Sequence, residues 1–254
     1  MLKTEYAGKG GYLQRDSVEH GEYAEVYSTE NREVNRKDGA VLLEKVLDRG
    51  NLNRAYKRVK ANKGASGVDG MTVDEALPWL KEHREELLDL IRNGKYKPTP
   101  VRRVEIPKDN GGVRKLGIPT VIDRIIQQAI AQVLKPIYEP KFSDESYGYR
   151  LHRSAKDAIL KVKEYAEEGY TRAVCLDLSK YFDTLNHELL MNMLREEIKD
   201  KRLIDLIKKY LKSGVMENGI VMRTDEGSPQ GGNLSPLLAN IYLENLIRSS
   251  RAEE

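Results

Sequence analysis

The chain has very little cysteine and no long apolar runs, and each of these absences excludes a class of protein. It has a single cysteine, Cys175, so an internal disulfide framework is excluded. That residue lies in an apolar run, which predicts a buried, inert thiol and fits a reducing compartment. No apolar stretch is long enough to span a bilayer, and the first residues lack a charged-then-apolar signal pattern. We therefore expect a cytoplasmic protein without a membrane partner.

An excess of one charge sign is also missing, because the formal net charge is +3 although 33% of the residues are charged. The basic residues nevertheless cluster. They form two runs: Arg54, Lys57, Arg58, Lys60 and Lys63, and then Arg102, Arg103, Lys108, Arg114 and Lys115. Such runs indicate polyanionic partners. A solvated helix face explains the first run equally well.

The pattern of apolar residues divides the chain. Residues 1–37 show no sustained periodicity and predict an extended or poorly ordered arm. From Val41 onward apolar residues recur at helical spacing, and a hairpin is expected over 101–118. A strongly amphipathic helix follows and should end at Pro136.

In the second half, residues 173–178 predict a short, buried strand. Helices over 187–198 and 201–212, a hairpin near Asn218, and a final helix from Ser235 should follow. The predicted order of elements is helices and a hairpin, followed by a strand, helices, a hairpin and a helix. This order predicts an α+β fold with antiparallel strands.

Two stretches are candidates for chemistry. Asp177 stands at the end of the apolar run, where a carboxylate is costly to bury unless it faces a cleft or binds a metal ion such as Mg²⁺. Asp183, in contrast, is explained more simply as a helix cap. The glycine-rich stretch 227–236 leads into a helix N-terminus and can pass close to a base pair or phosphate. A plain loop with a cap explains it as well.

Together these stretches resemble the reverse transcriptases encoded by group II introns. The supporting segments lie in the family's order at 64–71, 106–120, 123–128 and 146–150, and the resemblance covers about residues 41–243. It implies a right-hand polymerase architecture, with fingers over 38–169 and a partial palm over 170–254. The implied reaction is synthesis of DNA on an RNA template, from a DNA primer and dNTPs, in association with intron splicing and mobility.

The resemblance also implies roles around the nucleotide. Asp177 would be a catalytic metal ligand, with the Leu178 backbone carbonyl as a further ligand, in a site for two Mg²⁺ ions. Phe182 would pack under the incoming sugar and exclude a ribose 2′-hydroxyl, and the alternative is that it is an ordinary core aromatic. The residues implied to grip the triphosphate are Lys108, Arg114 and Arg102.

The resemblance further implies contacts with template RNA and intron RNA. The residues that would border the nascent base pair and template are Gln230, Gly231 and Gly232. The segment around 62–70 resembles an N-terminal motif of these enzymes that contacts the template. The residues expected to contact RNA there and on the preceding helix are Arg54, Lys57, Arg58, Lys63 and Gly67.

One family feature does not occur in the sequence. The remaining metal-binding carboxylates come from an Ala-Asp-Asp hairpin, which is absent. Read in a shifted frame, permissible codons for 244–254 can give a charged segment like the family's continuation. We therefore hypothesise a frameshifted gene fragment that polymerises poorly or not at all, while a trimmed or separately encoded fragment stays open. Missing strands would leave uncovered palm surface, so aggregation or a homo-oligomer is expected.

Three other readings compete with this one. The first is a non-catalytic, maturase-like module that holds intron RNA. The second is a retron or diversity-generating reverse transcriptase, whose loop usually differs from residues 230–236 here. The third is a structural α+β domain without enzymatic function, which would require that these ordered motifs occur together by chance.

Overall fold

The described part of the chain is a helical assembly with one small sheet. A computed structural model describes residues 41–107, 111–228 and 231–251. The helices are α1 (Leu42–Leu47), α2 (Arg49–Ala61), α3 (Val73–Arg92), α4 (Val121–Tyr138), α5 (Ala155–Glu167), α6 (His187–Glu197), α7 (Lys201–Leu211) and α8 (Ser235–Arg251). The strands are β1 (Val101–Pro107), β2 (Val113–Ile118), β3 (Val215–Glu217) and β4 (Ile220–Met222). The predicted arm over 1–37 lies outside the described residues, as do Lys108 and Gln230.

Polar side chains cap the N-termini of several helices. The Thr120 side chain accepts a hydrogen bond from the Asp123 N–H at the start of α4. Ser154 and Asp157 form a reciprocal capping box at the start of α5. Helix α6 is capped by Asn186, so the reading of Asp183 as its cap is wrong.

The sheet has the strand order β2-β1-β3-β4. β1 and β2 form the expected antiparallel hairpin, with Arg102 opposite Ile118. β3 and β4 form the second predicted hairpin. The expectation of antiparallel strands alone is corrected by β1 and β3, which pair in parallel with Val101 opposite Val215. This pair links distant parts of the chain, and local patterns do not reveal such pairing. The α+β class itself is confirmed.

Helix α4 runs through the core and contacts α1, α2, α3 and α8. Most of its side chains are buried, including Ile125, Ile126 and Ile130. It continues through Pro136 to Tyr138, so the expectation that this helix ends at Pro136 is wrong. None of the helices within the described ranges is long and apolar enough to cross a membrane.

The prediction of a buried strand over 173–178 is wrong. This segment has no strand structure, and the side chains of Val174 and Leu176 are 87% and 88% exposed. Cys175 is exposed as well, so the buried, inert thiol is also wrong. A strand needs a neighbour to satisfy its backbone groups, and the four described strands pair with one another elsewhere. Helix α5 next to it buries none of its side chains.

Candidate functional site

The loop that precedes α8 is held on one side by the turn around Phe182. The Ser228 N–H donates to the Phe182 carbonyl at 2.7 Å, and the Gly227 N–H donates to the Leu185 carbonyl at 2.7 Å. The buried His187 ring places Nε2 2.6 Å from the Gly227 carbonyl oxygen. The half-buried phenylalanine is thereby fixed beside the glycine-rich loop.

On its other side the same loop meets the end of β2 and helix α4. Gly231 has φ +124°, and a Cβ there would lie 2.6 Å from the Gly117 carbonyl oxygen. A Cβ on Gly232 would lie 2.8 Å from Gln127 Oε1. These two glycines therefore permit close packing of the loop on the protein itself. Their expected contacts with template stay a prediction.

A chain of buried amides connects this loop to helix α2. Asn233 Nδ2 donates to Gln128 Oε1 at 3.1 Å, and Gln128 Nε2 donates to Gln132 Oε1 at 3.2 Å. Gln132 Nε2 then donates to Asn51 Oδ1 at 2.8 Å. The sequence analysis did not identify this chain. The sequence signal for this chain is a pair of glutamines, Gln128 and Gln132, one helical turn apart among the buried residues of α4. Buried polar groups need hydrogen-bond partners, so such a pair indicates a polar network.

Two arginine side chains donate hydrogen bonds to backbone carbonyls of the glycine loop at 62–70. Arg124 Nη2 donates to the Ala65 carbonyl at 2.8 Å. Arg102 donates from Nε at 3.1 Å and from Nη2 at 2.8 Å to the Ser66 carbonyl. The Arg102 guanidinium thus has a structural partner in addition to its expected triphosphate. Arg124 was not predicted as a site residue.

Gly67 lies where this loop touches the start of α4. It is buried, and an added Cβ would lie 2.6 Å from Thr120 Cα and 2.7 Å from Thr120 N. Only a residue without a side chain permits this approach. Gly67 therefore has a packing role, and its expected template contact stays a prediction.

A buried carboxylate fixes the beginning of α4 beside this loop. Asp123 is 1% exposed and accepts hydrogen bonds from the Tyr96 hydroxyl at 2.7 Å, the Thr99 N–H at 3.1 Å and the Thr120 hydroxyl at 2.8 Å. Burial raises the pKa of Asp123, and burial also raises the pKa of Tyr96. The group orients the helix turn that carries Arg124.

The expected phosphate-binding residues lie at the surface. Helix α2 and the glycine loop carry Arg54, Lys57, Arg58 and Lys63, of which Arg58 is half-buried and the others are exposed. Lys57 and Arg58 have no ion-pair partner within the described ranges. Arg114 is exposed on β2, opposite Ile106. All of these cations are accessible to a polyanion.

Asp177 stands apart from these contacts. Its carboxylate is exposed and has no hydrogen-bond or ionic partner in the described part of the chain. Across that part, no group of three or more His, Cys, Asp or Glu could hold a metal ion. Mg²⁺ commonly keeps several waters and takes one or two carboxylates plus substrate phosphates. The expected roles of Asp177 and of the Leu178 carbonyl as metal ligands stay predictions.

Comparison with protein families gives a match to "Reverse transcriptase (RNA-dependent DNA polymerase)" over residues 106–254. Protein YkfC of Escherichia coli K12 is 42% identical over 198 residues, which cover 76% of this chain and 52% of that protein. The group II intron-encoded protein LtrA of Lactococcus lactis is 42% identical over 194 residues, which cover 76% of this chain and 32% of LtrA. The chain thus spans about half of the first relative and a third of the second.

Two further comparisons agree with these. The putative COX1/OXI3 intron 2 protein of Saccharomyces cerevisiae is 37% identical over 76% of this chain and 22% of its own length. Among solved structures, a partial Cas6-RT-Cas1–Cas2 complex superposes with a TM-score of 0.57 over 83% of this chain and 35% of that chain. At 22% sequence identity this second likeness speaks for the fold alone.

Proposed function

Because the chain belongs to the reverse transcriptase family and is similar to group II intron-encoded proteins, we propose that it forms fingers (38–169) and a partial palm (170–254) for copying RNA into DNA. Residues 1–37 would be an arm outside this unit. The single observation that carries the proposal is the glycine-rich loop. It is bonded to the Phe182 turn on one side and packed against the end of the β1–β2 hairpin on the other.

In this proposal the Phe182 turn, the β1–β2 hairpin and the basic face of α2 each bind a different part of the substrates. Phe182 would lie under the dNTP sugar, with Gln230 beside the new base pair. Lys108, Arg114 and Arg102 would hold the triphosphate, because guanidinium and ammonium groups donate to phosphate oxygens. The basic face formed by Arg54, Lys57, Arg58 and Lys63 would hold template or intron RNA by phosphate contacts, which weaken with salt.

Reverse transcriptases depend on divalent metal ions. We propose Mg²⁺, with two ions in the complete site, and assign Asp177 and the Leu178 carbonyl as ligands. Bound ions would align the 3′-hydroxyl of a DNA primer and stabilise the leaving pyrophosphate. The chain itself contributes the exposed carboxylate of Asp177, which lies shortly before the Phe182 turn in the sequence. Among the described residues this carboxylate has no partner that a metal ion would have to displace.

Primer extension on an RNA template with Mg²⁺ and dNTPs tests this proposal. The matched pair is Asp177→Ala and Asp205→Ala, since both aspartates are exposed. Incorporation that survives in the second variant and is lost in the first supports catalysis through Asp177. Equal activity of the two variants argues against that assignment. A chain that neither binds RNA nor extends a primer contradicts the proposal as a whole.

A second candidate function is a non-catalytic, maturase-like module that binds intron RNA. The exposed and unpaired segment around Asp177 favours it, because a catalytic carboxylate normally sits in a rigid site. RNA binding without nucleotide incorporation in the same experiment would select this candidate.

Self-association and a cytoplasmic location are further parts of the proposal. Ile159 and Val162 on α5 are 68% and 65% exposed, and Val174 and Leu176 are 87% and 88% exposed. A monodisperse monomer by light scattering would contradict self-association. The exposed Cys175 suits a reducing compartment.

A further inference from the structure

An exposed aromatic side chain is held in a strained backbone conformation between α4 and α5. Tyr149 has φ +56°, in the left-handed region that a Cβ disfavours, and 68% of the residue is exposed. A flexible surface loop would relax such a residue to negative φ. Strain that persists requires surroundings that enforce it, and it frequently marks functional positions.

The neighbouring Arg150 supplies much of that enforcement. Its guanidinium donates to the Glu139 carboxylate at 2.8 Å, to the Glu139 carbonyl at 3.2 Å and to the Ser146 carbonyl at 3.2 Å, and it also bonds the Ser143 carbonyl. The same group lies 5.4 Å from the centre of the Phe142 ring. One buried arginine thus closes the whole loop onto the end of α4.

Helix α8 holds the loop from its other side. Asn240 Nδ2 donates to the Gly148 carbonyl at 2.8 Å, directly before Tyr149. Glu244 accepts from the Ser143 N–H at 2.9 Å. The backbone on both sides of Tyr149 is therefore held in place, while 68% of the tyrosine itself is exposed. Its ring pairs with no other aromatic ring in the described ranges.

Charges around the loop offset one another, which argues for a ring face as the recognition element. Arg153 is paired with Asp144 at 2.9 Å and lies over the Tyr147 ring at 5.5 Å. Lys156 is exposed and is next in sequence to Asp157, the acidic residue of the α5 capping box. A site for phosphates would show a surplus of free cations, whereas this one offers a rigid aromatic surface.

We propose that Tyr149 is a stacking platform for an unpaired base of single-stranded RNA, an inference that rests on the proposed RNA-binding function. Every nucleobase has an aromatic face, so stacking on a tyrosine tolerates different sequences. The rigid loop lowers the entropic cost of presenting the ring. This base would lie in template strand that is not yet paired.

Fluorescence anisotropy with a labelled single-stranded oligoadenylate of about 12 nucleotides tests the inference. Tyr149→Leu is expected to weaken binding about five- to 150-fold, the range for loss of one stacked base, while Tyr149→Phe stays close to the wild type. Tyr170→Leu is the matched control, because Tyr170 is also 68% exposed but packs edge-on against Tyr165. The salt dependence of binding should be unchanged in Tyr149→Leu, because stacking releases no counterions.

Tyr149→Gly separates recognition from folding. Glycine adopts positive φ without strain, so this variant should unfold at a higher denaturant concentration than wild type and still bind RNA more weakly. Wild-type affinity in Tyr149→Leu, with binding by the wild-type chain intact, would overturn the stacking inference alone. A wild-type chain that does not bind the oligonucleotide would overturn the proposed function and this inference together.

Discussion

Replacing Gly67 with alanine probes the contact between the glycine loop and helix α4. The new Cβ would lie 2.6 Å from Thr120 Cα, 2.7 Å from Thr120 N and 3.0 Å from the Pro119 carbonyl carbon. All three are backbone atoms at the start of a buried helix, so they cannot turn aside as a side-chain tip could. Ordinary contact begins at 3.4 Å, which requires the loop to move out by 0.8 Å.

The cost of this movement has two sources. Overpacking a tight contact costs about 1–3 kcal/mol. The displacement also stretches the hydrogen bonds from Arg124 to Ala65 and from Arg102 to Ser66, each 2.8 Å at its shortest. Hydrogen bonds to charged groups contribute about 1.5–3 kcal/mol, and partial loss of two adds about 1 kcal/mol. We expect Gly67→Ala to lower the free energy of unfolding by about 2–4 kcal/mol.

Urea unfolding followed by helical circular dichroism measures this change. Gly148→Ala is the control, because a Cβ at Gly148 meets no atom within 4 Å and should change stability by less than about 0.5 kcal/mol. If Gly67→Ala is as stable as Gly148→Ala, the loop does not rest on the α4 start and the reasoning fails.

Two further variants test the buried polar groups. Gln132→Leu leaves Gln128 Nε2 without its partner and leaves Asn51 Oδ1 only the long 3.5 Å contact with Arg54 Nη2, so we expect a loss of about 2–4 kcal/mol in urea unfolding. Additivity with Asn51→Leu would contradict a connected network. Because burial raises the pKa of Asp123, the native state binds this proton more tightly than the unfolded chain. Wild-type stability relative to Asp123→Asn should therefore fall as the pH rises from about 4 through the raised native pKa. A difference between the two proteins that is constant from about pH 4 to 7 would refute this shift.

Elements specified by neighbouring residues were predictable from the sequence. Helices α4 and α7 follow from apolar periodicity with a polar cap, and the β3–β4 hairpin follows from the turn at Asn218. The strand expected over 173–178 is wrong because apolar composition indicates burial but does not supply a hydrogen-bonding neighbour. The parallel β1–β3 pairing was missed for the related reason that its partners are distant in sequence.

The candidate site divides in the same way. The family resemblance identified Phe182 and the glycine-rich loop, and the structure brings them into contact. The segment 123–128 of this resemblance includes Arg124 but gave that residue no role, because the role depends on a loop that reaches Arg124 only in the folded chain. The same segment includes Gln128, but its pairing with Gln132 was not predicted, because a polar residue in a mostly apolar helix does not reveal its partner. The assigned roles of Asp177 and Arg114 stay predictions.

The buried amide chain has a direction, and that direction is set far from the glycine-rich loop. Asn51 Nδ2 donates to the carbonyls of Val46 and Ala129, which can only accept. Its Oδ1 must then accept from Gln132, and each following amide is oriented by the one before it, as far as Asn233. The Asn233 amide cannot turn over unless every member does so. Its side-chain oxygen is consequently a fixed acceptor, and its orientation is set by the backbone carbonyls of Val46 and Ala129.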